Sequence, residues 1–174
     1  PGDRIILVPD SLMGKHLTEH LAGKKEVINY DGECYVHATF TGAKIRSWRE
    51  RTLVQGIDFK VLSHPECDAD VLAESDVIGS SEKLMNEALK LSQEGKPDIM
   101  LITECGTADR VRAESENEIN LIGTCVMCKY MKMTQLEDIL QSLRAPRPEQ
   151  IIELDSEVIQ RAQYSLNEMF RLAE

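Results

Sequence analysis

The sequence predicts an α/β protein made of short parallel strands, and three observations carry that prediction. Short apolar runs alternate with helical segments about six times, the pattern that places helices on the faces of a parallel sheet. The first run, Ile5-Ile6-Leu7-Val8, is continuous, as buried parallel strands are. The runs also end alike: VPDSLMG, LSHPECD, VIGSS, LITECG and LIGTC each change from apolar to reactive or small residues at one point of the unit. Such ends gather along one edge of a parallel sheet, where ligands bind. The units share weak self-similarity but no fixed period.

In chain order, Arg4 to Val8 is a strand ended by Pro9-Asp10. Ser11 to Ala22 reads as a helix closed by Gly23, with Lys24 and Lys25 at the negative end of its dipole. Glu26 to Tyr30 is the second strand and runs into a turn, Asp31 to His37. A helix from Thr41 to about Gln55 turns Ile45 and Trp48 inward and stops at Gly56. Phe59 to Leu62 is a strand, Ser63 to Asp68 a polar turn, and 69–75 a helix with Asp68 as its expected N-cap. Asp76 to Ile78 is a short strand. Gly79-Ser80-Ser81 then opens a helix with Leu84, Ala88 and Leu91 inward, broken at Glu94-Gly95-Lys96-Pro97. Asp98 to Thr103, a polar helix to about Glu116 and the run Ile119 to Ile122 complete the alternation.

The stretch from Gly123 through Thr124, Cys125 and Cys128 to Met133 redirects the chain into a helix over 134–143. Thr134 and Glu137 read as its capping box, and Leu136, Ile139, Leu140 and Leu143 as its buried face. A stiff connector, Arg144 to Pro148, and an extended piece, Gln150 to Leu154, lead to a helix from Ser156 to Leu172. Val158, Ala162, Leu166 and Met169 lie along one side of that helix, which is expected to dock on the body.

Composition narrows the function classes. The 174 residues are 42% hydrophobic and 29% charged, ordinary for a water-soluble domain. A net charge of −10 and a pI near 4.9, with no Lys/Arg cluster, argue against nucleic acid as a partner. No apolar run reaches membrane-spanning length and no signal pattern opens the chain, so the expected compartment is the cytoplasm. Five cysteines there point to metal or catalytic roles ahead of disulfides. With neither an initiator methionine nor a leader, the chain reads as a C-terminal portion of something longer.

The reactive residues sit at the strand ends. Cys125-x-x-Cys128 suits a redox pair, half of a zinc site or part of an iron–sulfur site, and equally two small buried thiols. Cys34 and His37 can share a metal or simply one side of a turn. His64 and Glu66, separated by the rigid Pro65, suit proton transfer, although the same run serves as a polar turn. Ser80 and Ser81 at a helix N-terminus form a natural anion site, or a plain cap.

Taken together, six pieces in order resemble quinolinate synthase, the iron–sulfur enzyme of NAD biosynthesis. They are Val8-Pro9-Asp10 with Gly14, Gly32 to His37, His64-Pro65-Glu66-Cys67, Gly79-Ser80-Ser81, Thr103-Glu104 with Gly106, and Cys128 to Met133. The resemblance implies repeated three-layer α/β/α units in a pseudo-threefold triangular architecture around a [4Fe-4S] cluster bound by one cysteine per unit. By resemblance, Cys34 and Cys128 are two of those ligands and the third precedes residue 1. His37 and His64 contact substrate, Glu66 and His64 handle protons, and Ser80 and Ser81 bind a phosphate or carboxylate. Cys125, Cys67 and Cys105 have no ligand role in the pattern.

The same resemblance divides the chain into the remainder of a middle unit (1–41), a last complete unit (42–130) and a helical segment (131–174). It implies condensation of iminoaspartate with dihydroxyacetone phosphate, with an enzyme supplying iminoaspartate as partner. The chain departs from the family pattern at Leu12-Met13, where Asn-Leu is usual, and at Ser81, where Thr is frequent. The interval from His37 to His64 is also a few residues long. Two other classes stay open: a non-catalytic zinc-binding or interaction domain using Cys34, His37, Cys125 and Cys128, and an α/β fold with buried thiols and no metal.

Overall fold

The computed structural model describes residues 2–96, 98–123 and 125–173, so Pro1, Pro97, Thr124 and Glu174 lie outside the described residues. The chain forms two compact units, Pro1–Lys129 and Tyr130–Glu174. Among the described residues no helix is long and apolar enough to cross a membrane.

In the first unit, β1 (Arg4–Leu7), α1 (Ser11–Leu21) and β2 (Glu26–Asn29) make a βαβ turn whose strands pair in parallel, Arg4 against Glu26 and Leu7 against Asn29. Gly14 on α1 gives the Asn29 side chain its place, since a Cβ there would overlap it and force it to move. Next come α2 (Tyr35–Ala38), α3 (Gly42–Leu53), β3 (Lys60–Ser63), α4 (Ala69–Leu72), β4 (Val77–Ile78), α5 (Ser81–Gln93), β5 (Asp98–Ile102), α6 (Cys105–Glu114) and β6 (Asn120–Leu121). The last four strands form one parallel sheet in the order β4-β3-β5-β6.

Side chains of the two central strands alternate between two apolar layers, the period-two consequence of the pleat. Val61, Met100 and Ile102 join Ile45 of α3 and Val71 of α4 on one face. Leu62, Ile99 and Leu101 join Leu84, Ala88 and Leu91 of α5 and Val111 of α6 on the other. Both faces being covered explains why these runs are continuously apolar. The expected α/β class with three layers and short parallel strands is what forms. β3 forms one residue later than expected, at Lys60–Ser63 and not Phe59–Leu62, and the other strands are shorter than expected by a residue or two, within the usual fraying.

Three local expectations are corrected. Asp31–His37 is not wholly a turn, because Tyr35–Ala38 closes into a helix. Asp68 precedes α4 without a side-chain cap bond, and that helix ends at Leu72. In the second unit, α7 (Leu136–Arg144) is boxed by Gln135 and Asp138, one residue beyond the expected Thr134 and Glu137.

The second unit also contains 3-10 turns at Met131–Met133 and Pro148–Gln150 and α8 (Ser156–Ala173). The Pro148–Gln150 turn runs from the end of the expected connector into Gln150, the first residue of the expected extended piece. The expected inward residues of α7 are exposed, from 46% at Ile139 to 80% at Leu136 and Leu143. Val158, Leu166 and Met169 of α8 are exposed as well.

Candidate active site

The site lies in the first unit, at the carboxyl edge of the strands. Ser63 of β3 is in register with Ile78 of β4 and Ile102 of β5. The next residue of each strand, His64, Gly79 and Thr103, therefore emerges at the same level. His64 N–H donates to the Ile102 carbonyl at 3.1 Å, and Gly79 N–H to the Ser63 carbonyl at 3.1 Å.

Cys34 takes the N-cap position of α2, its carbonyl accepting the Ala38 N–H at 3.0 Å. That short helix carries His37 inward until only 7% of it is exposed. Its Nδ1 lies 2.8 Å from Glu66 Oε2 and its Nε2 3.2 Å from Thr103 Oγ1. An ionised Glu66 can only accept, so in the neutral ring Nδ1 carries the proton and Nε2 accepts the Thr103 hydroxyl. The His64 ring stacks on His37, centroids 4.4 Å apart and planes 9° from parallel.

Nδ1 of His64 accepts the Glu66 N–H at 3.4 Å and stands 3.6 Å from Glu66 Oε2. Burial, and then the neighbouring His37, hold His64 below the ordinary imidazole range against the opposing pull of Glu66. One carboxylate oxygen thus faces both imidazoles. The Cys34 thiol, a His37 nitrogen and a Glu66 oxygen all lie within 4.8 Å of one another.

The second cysteine loop meets the first through Tyr35. Its hydroxyl accepts the Lys129 N–H at 2.6 Å and donates to the Met127 carbonyl at 3.3 Å, so it grips both neighbours of Cys128. Cys34 and Cys128 are both half-buried and pack against the same apolar layer. Two buried carboxylates hold their backbones: Asp10 Oδ2 accepts the Cys34 N–H at 2.9 Å, and Glu104 Oε1 accepts the Cys128 N–H at 3.1 Å.

Folding thus brings Cys34, His37, His64 and Glu66 together and ties the Cys128 loop to them. Ser80 and Ser81 stand exposed one strand away. Ser80 caps α5 by accepting the Lys83 N–H at 3.3 Å, and Ser81 is the first helical residue. Among the described residues neither serine bonds to the His37–Glu66 group.

Cys67 is fully buried, and burial pushes its thiol up to about 12, the behaviour of a packing residue. Cys105 and Cys125 are joined as a disulfide with Cα atoms 5.2 Å apart. Metal or catalytic roles were expected ahead of disulfides, and this pair is the exception; it also removes Cys125 from the four-ligand zinc set. Sequence reasoning gave no role to Thr103, Asp10 or Glu104. Thr103 could have been found as the residue after β5 in register with His64, and the acids by their equal distance from the two cysteines.

Fold and cluster define a parallel α/β protein that gathers a thiol, two imidazoles and a carboxylate at its strand ends. A profile of the family described as Quinolinate synthetase A protein matches residues 1–171. Quinolinate synthase 1 of Mesorhizobium japonicum is 32% identical over 166 residues, covering 95% of this chain and 48% of that protein. Quinolinate synthase of Caulobacter vibrioides is 33% identical over 170 residues, covering 98% of this chain and 43% of that one. The Methanopyrus kandleri quinolinate synthase is 33% identical over 177 residues, with 99% and 57% covered. The chain belongs to the quinolinate synthetase A family, and it spans about half the length of the curated relatives it matches.

Proposed function

We propose that this chain forms the thiolate and acid–base part of a quinolinate synthase acting at the relatives' full length. The reaction condenses iminoaspartate with dihydroxyacetone phosphate to quinolinate, with loss of phosphate and two waters. A cytoplasmic setting and an upstream enzyme supplying iminoaspartate belong to the same reading. The observation that supports it best is the meeting of the Cys34 and Cys128 loops at the edge where His37, His64 and Glu66 converge.

The donor set suits a thiolate-held group. Both nitrogens of His37 are engaged, by Glu66 and by Thr103, whereas Cys34 and Cys128 are soft donors on two loops held together. In this reading a [4Fe-4S] cluster held by Cys34, Cys128 and a cysteine outside this chain supplies, when bound, a Lewis acid for a substrate carboxylate or hydroxyl.

Glu66 is the acid/base, because its Oε2 lies 2.8 Å from His37 Nδ1 and can exchange a proton with it beside the stacked His64 ring. His64, its pKa lowered by burial and by His37, is the second proton-handling group in this reading, and His37 and His64 orient substrate oxygens. Ser80, Ser81 and the N-terminus of α5 receive a phosphate or carboxylate.

Anaerobic loading with iron and sulfide tests this reading. The expected result is brown protein with visible absorption, and quinolinate formation by the full-length protein that falls about 10²- to 10⁴-fold in Glu66→Gln. A second reading starts from Cys34, His37 and Glu66, whose ligand atoms lie within 4.8 Å of one another and would hold a single metal once His37 gives up its bond to Glu66. Colourless protein holding stoichiometric zinc, with no sulfide, would decide for that reading.

A further inference from the structure

The chain uses one structural device twice. In the first copy, β1 leads to Asp10, which N-caps α1 by accepting the Met13 N–H at 2.8 Å, and the paired strand β2 leads to Cys34. In the second, β5 leads to Glu104, which N-caps α6 by accepting the Gly106 N–H at 2.6 Å, and the paired strand β6 leads to Cys128. The other oxygen of each acid takes the cysteine N–H, across 24 residues in both cases.

A further bond repeats in the same place. The residue after the acid donates its N–H to the carbonyl two before the cysteine: Ser11 to Gly32 at 2.8 Å, and Cys105 to Val126 at 3.1 Å. Both acids are buried, Asp10 to 2% and Glu104 to 7% exposure. A cap requires only one oxygen and tolerates exposure, and Ser or Thr would provide it. What a longer, two-oxygen side chain adds is a link from the helix start to the cysteine backbone.

We propose that Asp10 and Glu104 are positioning residues that set where the Cys34 and Cys128 thiols stand before any metal arrives. Each carboxylate anchors a cysteine loop to the rigid strand–helix junction of its own βαβ unit. The pair therefore fixes the two sulfurs in the frame of the two sheets. The purpose of that placement, presenting thiolates to a shared inorganic group, rests on the proposed function. The placement itself does not.

The two parts are tested separately. In the metal-free 174-residue chain, hydrogen exchange should find the Cys34 and Cys128 amides protected at least about tenfold over their loop neighbours, the factor that accompanies a hydrogen bond to a charged acceptor. Fast exchange at both in the unmutated chain overturns the proposal without any variant. Asp10→Ser and Glu104→Ser keep a good helix cap but cannot reach the cysteine.

Each serine variant should lose protection at its own cysteine only, and that thiol should change its iodoacetamide rate several-fold while Met13 or Gly106 stays protected. Loss confined to Met13 or Gly106, with the cysteine amide unmoved, would leave the acids as mere caps and sink the idea. Reconstitution with iron and sulfide is read independently. Normal amide protection in the chain, with no visible absorption from the reconstituted full-length protein, would refute the cluster while leaving the positioning intact.

Discussion

The centre of the site depends on a hydroxyl. Thr103 is 4% exposed and its Oγ1 sits 3.2 Å from His37 Nε2, on the side of the ring away from Glu66. Thr103→Val keeps the shape but leaves a buried ring nitrogen without its donor, at a cost of ~1–3 kcal/mol. Urea unfolding of the chain should record that loss, and an unchanged midpoint would show that the hydroxyl does not hold the ring. His37, His64, Glu66 and the two cysteines were legible as residue types at strand ends. Thr103 stood only within a motif of the resemblance and had no role, because threonine is unremarkable until the register places it opposite a histidine.

At the scale of elements, Asp76 joins β3 to β4. It accepts the Val61 N–H at 2.9 Å, Lys60 Nζ at 2.9 Å and Arg49 Nη2 at 3.2 Å. Burial raises its pKa, but the Val61 N–H and Lys60 outweigh burial and hold the carboxyl below the ordinary range. The unfolded chain therefore takes up this proton first. The stabilisation is complete above the usual aspartate value of about 4 and is lost as pH falls through the lowered folded value.

Asp76→Asn should cost ~1–2 kcal/mol near neutrality and flatten the acid limb of the stability curve. Chemical denaturation at stepped pH checks both; a variant with the parental acid slope would exonerate Asp76. Elements were readable from period and punctuation, as the buried Leu84, Ala88 and Leu91 of α5 show. The capping box of α7 was misplaced by one residue because the backbone makes Gln135 the N-cap, so that Asp138 and not Glu137 accepts the cap N–H.

Over the whole molecule, every buried apolar cluster among the described residues belongs to 1–129, and no described residue of 130–173 is buried. A chain ended after Lys129 should accordingly keep a cooperative thermal transition, with a midpoint within a few degrees of the parent, about the shift that 1 kcal/mol produces at this size. Calorimetry decides it. A broad, non-cooperative melt would mean that the last helices supply core that the first unit lacks.

Chain order and local periodicity determined the α/β class, the parallel pairing and the edge where reactive residues gather, because a strand's apolar run and the helix after it are local choices. They also placed Cys34, His37, His64 and Glu66 on that edge. Folding alone decided that Cys105 takes Cys125, that Tyr35 grips the residues on either side of Cys128, and that Asp10 and Glu104 each reach a cysteine. These links join residues 20 or more positions apart. Their partners are selected by strand register and burial, which a string of letters does not contain.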